Sequence, residues 1–153
     1  MSRVQLALNV SDVDAAVEFY SQLFGVAPAK RRPGYANFAI EEPALKLVLI
    51  ENPGAAATLN HLGVEVGSSG DVAAAQARLA GEGLQTATEE NVSCCYAVQD
   101  KVWVSDPDGA PWEIYTVLAD ANTMGCGPAE GASDEAATDT AEAVCCASVS
   151  DGC

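Results

Sequence analysis

The chain has 153 residues, of which 49% are hydrophobic, and its 22 acidic and 7 basic residues give a formal charge of −15. This length suits one domain or two small modules with a shared core. The charge argues against nucleic acid or anionic membrane as a partner, because both require basic patches. No apolar run is long enough to span a bilayer, and the N-terminus lacks the apolar core of a signal peptide, so we expect a cytoplasmic protein with reduced thiols.

The first half of the chain carries strand and helix patterns in the order β-α-β-β-β. Large apolar side chains occupy every second position of residues 4–10, as in a strand. From Val13 to Phe24 apolar side chains recur at helical spacing. Ser11 or Asp12 is the expected N-cap, and Gly25 is the expected stop. The ranges that follow are three strand candidates and a linker: 27–32, 35–41, 44–51 and 51–58.

The second half repeats this order at a shift of 56 residues, so that residues 60–66 align with 4–10. A helical pattern runs from Val72 to Leu79, and "DPDG" at 106–109 predicts a hairpin. The further strand candidates are 84–90, 101–106 and 110–118. Two βαβββ modules, at about 3–51 and 57–118, predict an α+β domain over 1–120 whose mixed sheet curves into a cup.

Residues 121–153 differ in composition from the rest of the chain. They contain no Lys or Arg and are rich in Ala, Gly, Ser, Thr and Asp, so they bury too little apolar surface to offset the entropy of ordering. We predict a disordered acidic tail. It could bind a soft metal such as Cd(II) or As(III), or have no such role; its thiols are Cys126, Cys145, Cys146 and Cys153.

Three polar residues lie on the strand faces opposite to those expected to pack against helices: Gln5, His61 and Glu113. His61 is the only histidine, and it occupies the position equivalent to Gln5 in the repeat. Taken singly, each could be an ordinary residue on an open sheet face. Together, an imidazole, a carboxylate and an amide oxygen can bind a divalent metal and leave positions open. We therefore predict a metal site in the cup.

The stretch "NVSCCYAVQD" at 91–100 places Cys94 and Cys95 side by side. Adjacent cysteines seldom form a disulfide with each other. We expect them on a mobile loop at the rim of the cup, where they either bind a thiophilic substrate or are incidental. Lys101 would favour the thiolate form by its charge, although a lysine that opens a strand is expected to be solvated.

Several segments carry a family resemblance. "VSDVDAAVEFYSQLFG", "NHLGVEV" and "VWVSDPDGAPWEIY" resemble the vicinal oxygen chelate superfamily, which includes glyoxalase I, extradiol dioxygenases and fosfomycin and bleomycin resistance proteins. "YANFAIEEPALKLVLIENPG" and "CCYAVQDKVWV" look specifically like the cadmium-induced protein and organoarsenical lyase family. The likeness covers about residues 3–118.

This resemblance implies an activity and a site. The lyases are non-haem Fe(II) dioxygenases that use O2 to cleave the carbon–arsenic bond of trivalent organoarsenicals, such as methylarsenite and trivalent aromatic arsenicals. Their iron ligands match Gln5, His61 and Glu113, and their arsenic-binding cysteine pair matches Cys94 and Cys95. Ni, Co, Mn or Zn are alternative metals.

Two positions refine the comparison. The lyases that set the family pattern have histidine where this chain has Gln5, although glutamine is a ligand there in some glyoxalase I enzymes. When "ALKLVLI" of the first module is aligned with "APWEIYT" of the second, Leu47 falls at the position equivalent to Glu113. The carboxylate that is the fourth ligand of glyoxalase I is therefore absent, and a three-ligand open site favours a dioxygenase or a metal-binding protein over a glyoxalase.

Three functions remain open at this point. The first is an Fe(II)-dependent dioxygenase that cleaves carbon–arsenic bonds in arsenic and heavy-metal detoxification. The second is a non-catalytic, cadmium-induced protein that binds cadmium or arsenite, and the third is another metal-dependent glyoxalase-like lyase or thiol transferase. The expected partners are a small thiophilic molecule and O2, and a homodimer formed by module exchange is also open.

Overall fold

The computed structural model describes residues 2–125 and the backbone of residues 127–128. Within this part of the chain, no helix is long and apolar enough to cross a membrane. Both halves have the predicted βαβββ order, joined by a short 3₁₀ helix at Pro53–Ala55. The first half contains β1 (Arg3–Val10), α1 (Val13–Phe24), β2 (Lys30–Arg32), β3 (Tyr35–Ile40) and β4 (Leu45–Glu51). The rest contains β5 (Leu59–Glu65), α2 (Ser69–Gly81), β6 (Ala87–Cys94), β7 (Ala97–Ser105), β8 (Pro111–Asp120) and β9 (Gly127–Pro128).

The strands form one mixed sheet in the order β2-β3-β4-β1-β5-β8-β7-β6-β9. The pairs β1–β4 and β5–β8 are parallel, and the other pairs are antiparallel. The two modules meet where β1 pairs with β5. The predicted fold, two βαβββ modules in one curved mixed sheet, is confirmed, and the strands that carry the three predicted metal ligands are neighbours at its centre.

The convex side of the first module is built by α1. The side chain of Asp12 accepts a hydrogen bond from the Ala15 backbone N–H at 2.9 Å and caps the helix. Gly25 ends it at φ 68°, a left-handed conformation that glycine adopts without strain. The buried face of α1 packs on residues of β3 and β4, and Leu6, Leu8 and Val10 join that cluster. Alternation along β1 then directs Gln5, Ala7 and Asn9 to the concave side.

The strands after α2 begin and end at different residues from those predicted. β6 ends at Cys94 and β7 starts at Ala97, which leaves Cys95 and Tyr96 as a two-residue hairpin turn with φ of 54° and 60°. Such turns normally use Asn-Gly or a similar pair, because both central residues need positive φ. The Cys-Tyr pair gives no turn signal, so the predicted loop at 91–100 was wrong.

The predicted hairpin at residues 106–109 is confirmed. The Gly109 N–H donates to the Asp106 carbonyl at 3.0 Å, and the Asp106 carboxylate accepts from the backbone of Asp108 and Ala110. Gly109 has φ 87°, a conformation that glycine adopts without strain.

The chain continues to make contacts beyond the boundary predicted at residue 120. The backbone N–H groups of Cys95 and Tyr96 donate to the carbonyls of Met124 and Thr123, at 3.2 and 3.0 Å. Residues 121–124 therefore hold the hairpin turn in place. The rest of the predicted tail, with Cys126, Cys145, Cys146 and Cys153, lies outside the residues whose side chains are described.

Candidate metal and substrate site

Gln5, His61 and Glu113 meet on the concave face, on the neighbouring strands β1, β5 and β8. Gln5 Nε2 lies 3.1 Å from His61 Nε2 and 2.7 Å from Glu113 Oε1, and the last two atoms are 3.3 Å apart. All three side chains are buried. The structure thus brings together the three residues that the sequence singled out, and they are called the donor cluster below.

The spacing of the donor cluster fits a divalent metal with open positions. Ligands about 2.1 Å from a metal would be about 3.0 Å apart in adjacent octahedral positions and about 3.4 Å apart in a tetrahedron. The separations here, 2.7 to 3.3 Å, lie within the range expected of ligands that would share one metal ion. One triangular face of nitrogen and oxygen donors is the pattern of non-haem Fe(II) oxygenases. Among the described residues no group of three His, Cys, Asp or Glu side chains forms such a site, so the amide of Gln5 is needed to complete it.

The amide of Gln5 must turn to serve as a ligand. Its nitrogen faces the other two donors, and its oxygen accepts a hydrogen bond of 2.5 Å from the Tyr115 hydroxyl. That hydroxyl also lies 3.0 Å from Glu65 Oε2. After a half-turn of the amide, Tyr115 would donate to Glu65 and accept from Gln5, so the hydrogen bonds on that side are kept. The hydrogen bond from Gln5 Nε2 to Glu113 Oε1 would be given up, and a metal between the two oxygen atoms would replace it. The surroundings therefore accept the orientation that a metal requires.

His61 is oriented by a chain of hydrogen bonds that the sequence did not reveal. Asn9 donates to Thr58 Oγ1 at 2.9 Å, and Asn60 donates to Asn9 Oδ1 at 3.0 Å. The Asn60 oxygen consequently accepts from His61 Nδ1, 2.7 Å away. With its hydrogen on Nδ1, the imidazole directs the lone pair of Nε2 at the other donors, as metal-binding histidines do.

Lys101 belongs to the site, and the expectation that it is solvated was wrong. Its side chain is 1% exposed, and Nζ lies 2.9 Å from Glu113 Oε2. The error follows from the early start of β7, which puts Lys101 in mid-strand on the concave face. Burial alone would raise the pKa of Glu113, but opposing effects, of which the charge of Lys101 is the largest, lower it to about 2. Lys101 thus occupies one carboxylate oxygen and leaves Oε1 to the cluster.

Gly63 lets two members of the donor cluster approach its backbone. It pairs with Glu113 in the β5–β8 ladder, and an added Cβ would lie 3.0 Å from Glu113 Cγ and 3.4 Å from Gln5 Nε2. We expect Gly63→Ala to weaken Fe(II) binding about tenfold and to lower the free energy of unfolding by about 1–3 kcal/mol. Metal titration and urea denaturation would measure both effects.

The matched control is Gly81→Ala, since a Cβ at Gly81 would have no atom within 4 Å. This substitution should leave Fe(II) binding unchanged and raise the free energy of unfolding by about 0.4–1 kcal/mol, because alanine restricts the unfolded chain more than glycine does. If Gly63→Ala bound Fe(II) as tightly as the control does, close approach at Gly63 would not matter to the cluster.

Of the two adjacent cysteines, only Cys95 lines the cavity of the donor cluster. Cys94 is fully buried at the end of β6, whereas Cys95 lines a cavity of about 240 Å³ together with Gln5, His61 and Glu113. Their Sγ atoms are 3.3 Å apart. The structure has Cys95 in a disulfide, and this separation, well beyond an S–S bond of about 2.05 Å, shows that Cys94 is not its partner.

The turn that carries Cys95 is anchored on the first module. The Tyr96 ring packs 5.3 Å from the ring of Tyr35, and its hydroxyl donates to the Pro33 carbonyl at 3.3 Å. Lys30 Nζ donates to the Tyr96 carbonyl at 3.0 Å. The predicted loop is therefore a hairpin turn whose residues contact the first module.

Burial raises the pKa of the Cys94 thiol to about 11, although the nearby charge of Lys101 acts in the opposite direction. At neutral pH the thiol is therefore protonated. Lys101 is near enough to influence both Cys94 and Glu113, so the cysteine pair and the donor cluster belong to one site.

The residue of the first module that is equivalent to Glu113 in the repeat is Val48, one residue after the predicted Leu47. Ala7 and Gly63 are equivalent in the repeat, and they pair with Val48 and Glu113 respectively. Leu47 instead packs in the cluster beneath α1. The prediction of Leu47 was wrong by one residue, but the position is apolar in either case, so it offers no fourth carboxylate.

Comparisons with known proteins identify the family of this chain. Residues 3–114 match the model of the glyoxalase/bleomycin resistance protein/dioxygenase superfamily. The chain is 66% identical over 128 residues to the cadmium-induced protein CadI of Mycobacterium tuberculosis, covering 84% of each protein. It is 62% identical over 125 residues to the trivalent organoarsenical cleaving enzyme of Thermomonospora curvata, covering 81% of this chain and 83% of the relative.

Solved structures share the fold at low sequence identity. An extradiol ring-cleaving dioxygenase from B. fuscum matches with a TM-score of 0.58 and 23% identity, over 78% of this chain and 34% of that one. The Mn(II)-bound glyoxalase of Novosphingobium aromaticivorans matches with a TM-score of 0.55 and 23% identity, over 86% and 45%. By its sequence and its fold, this chain belongs to the glyoxalase/bleomycin resistance protein/dioxygenase (vicinal oxygen chelate) superfamily, alongside CadI and the organoarsenical cleaving enzymes.

Proposed function

We propose that the protein is an Fe(II)-dependent dioxygenase that cleaves the carbon–arsenic bond of trivalent organoarsenicals. The observation that carries the proposal is the presence of two kinds of binding group in one cavity. The donor cluster has the nitrogen and oxygen atoms that suit Fe(II). Cys95 lines the same cavity, and its sulfur lies 3.3 Å from that of Cys94, so the two sulfur atoms suit As(III). The relative named trivalent organoarsenical cleaving enzyme supports this assignment.

Each group has a separate task in this proposal. Gln5, His61 and Glu113 would hold Fe(II), which when bound supplies the electrons that activate O2. Cys94 and Cys95, once reduced, would bind arsenic and leave its organic group directed into the cavity. The buried turn at Cys95 would also restrict water at the thiols. The proposal includes the predicted cytoplasmic location, where thiols are kept reduced.

The test is release of inorganic arsenite from methylarsenite by reduced, Fe(II)-loaded protein in air. We expect turnover with wild type, none without oxygen, and a decrease of about 100-fold or more for His61→Ala, because a ligand should matter at least as much as the groups that orient it. The products would be separated by chromatography and quantified by arsenic mass detection. Equal turnover by wild type and His61→Ala would contradict the proposal.

A second candidate is a non-catalytic protein that sequesters Cd(II) or As(III) through its thiols. The relative named cadmium-induced protein and the adjacent sulfur atoms favour it. It would be supported if the Fe(II)-loaded protein showed no turnover but bound Cd(II) at sub-micromolar concentration, and Cys94→Ser abolished that binding.

A further inference from the structure

The cavity gathers the positive charge of a strongly acidic protein. The chain has only 7 Lys and Arg residues and a formal charge of −15. Four of the seven line this one cavity, against two carboxylates among the lining residues, Glu65 and Glu113. The four cations are Arg3, Lys30, Lys46 and Lys101. A neutral substrate alone would not require this concentration of cations.

Two of these cations already have their own acidic partner. Lys101 pairs with Glu113, and Lys30 pairs with Asp120. The other two, Arg3 and Lys46, share the single carboxylate of Glu65, at 3.1 and 3.0 Å. Two cations on one anion leave one excess positive charge in this group.

Lys46 is well shielded from water, with its side chain 13% exposed. A further anion beside Lys46 would therefore be stabilised in this environment.

The Arg3–Lys46 pair lies next to the donor cluster. Lys46 is opposite Gln5 in the β1–β4 ladder, and Arg3 is on the same face of β1 two residues before Gln5. Same-face neighbours on a strand are roughly 7 Å apart, which is about the length of a substituted benzene ring. Cys95, Arg3 and Lys46 line the same cavity, so an aromatic group whose arsenic is held by the cysteines would share that cavity with this pair.

We propose that Arg3 and Lys46 form a subsite for a carboxylate on the organic group, so that the preferred substrates are carboxylated aryl arsenites. This inference rests on the proposed function for the arsenic end of the molecule. The recognition of the carboxylate rests only on the cations, and it can be tested without arsenic.

The first experiment compares phenylarsenite with 4-carboxyphenylarsenite, using the reduced, Fe(II)-loaded protein without oxygen. Calorimetry should show at least about tenfold tighter binding of the carboxylated compound, as expected for charge-assisted hydrogen bonds. Lys46→Met and Arg3→Gln should each reduce this preference severalfold and leave phenylarsenite binding within about twofold. Arg78→Gln, which removes an exposed arginine of α2 outside the cavity, should retain the full preference.

The second experiment uses 4-fluorobenzoate, which contains no arsenic, and follows binding by ¹⁹F NMR line width. Broadening with wild type that is lost in both Lys46→Met and Arg3→Gln would support the subsite, even if arsenical cleavage were never observed. The inference is overturned if wild type does not distinguish the two arsenites. It is also overturned if both variants keep the full preference, since Arg3, Lys46 and Glu65 would then form only a structural ion-pair group.

Discussion

Glu113→Gln is expected to weaken Fe(II) binding by about 100-fold or more and to lower the free energy of unfolding by about 3–5 kcal/mol. The first effect follows because Glu113 provides the only carboxylate of the donor cluster. The second follows because Lys101 would be left as a buried cation without its ion-pair partner. Metal titration and urea denaturation of the metal-free protein would measure the two effects separately. Glu90→Gln, at an exposed position of β6, is the matched control.

A double variant separates the two causes. In Glu113→Gln/Lys101→Met neither buried charge remains, so most of the lost stability should return while Fe(II) binding stays weak. Lys101→Met alone should destabilise the metal-free protein but keep Fe(II) binding, since a divalent cation can replace the lost positive charge beside Glu113. If the double variant were as unstable as Glu113→Gln, the buried Lys101 would not be the cause of the instability.

The central strands and their faces could be predicted from the sequence because the signals are local. Alternation of apolar and polar residues in β1, β5 and β8 assigns Gln5, His61 and Glu113 to the concave face. The repeat then places Gln5 and His61 at equivalent positions of two strands that pair. The convergence of three residues that are far apart in the sequence could thus be predicted without knowledge of their contacts.

The surroundings of the donor cluster could not be predicted in the same way. A lysine can be predicted to be buried only when its ion-pair partner is known. Lys101 lies next to Glu113 because β7 pairs with β8. The hydrogen bonds that orient His61 likewise join residues of β1 and β5 with Thr58, which precedes β5. Such contacts depend on the register between strands, which one strand's pattern does not contain.

Two errors have a more specific origin. The turn at Cys95 and Tyr96 lacks the glycine or asparagine that usually marks a two-residue hairpin, so the limits of β6 and β7 were misplaced. The assignment of Leu47 as the residue equivalent to Glu113 was wrong by one position. Because side chains alternate along a strand, that slip exchanged the helix-facing Leu47 for the cavity-facing Val48.

Cys94→Ser is expected to reduce the affinity of the reduced protein for phenylarsenite by about 100-fold or more and to leave Fe(II) affinity within about twofold. A hydroxyl is a poor ligand for a soft atom such as As(III), so only Cys95 would hold it. The Fe(II) ligands lie on other strands and keep their contacts with each other. Calorimetry with each ligand would measure both affinities, and Ser93→Ala on the same strand is the control. Loss of Fe(II) and arsenical binding together would mean that the thiols belong to the metal site.

In the proposed site, sulfur binds arsenic, and nitrogen and oxygen bind iron. X-ray absorption at the iron and arsenic edges tests this proposal most directly. The sample is the reduced protein loaded with Fe(II) and phenylarsenite in the absence of oxygen. We predict an arsenic spectrum with two sulfur neighbours and an iron spectrum with nitrogen and oxygen neighbours only. In Cys94→Ser the arsenic should keep one sulfur neighbour at most, with the iron spectrum unchanged. Sulfur bound to iron, or arsenic without sulfur in the wild type, would contradict the proposed site.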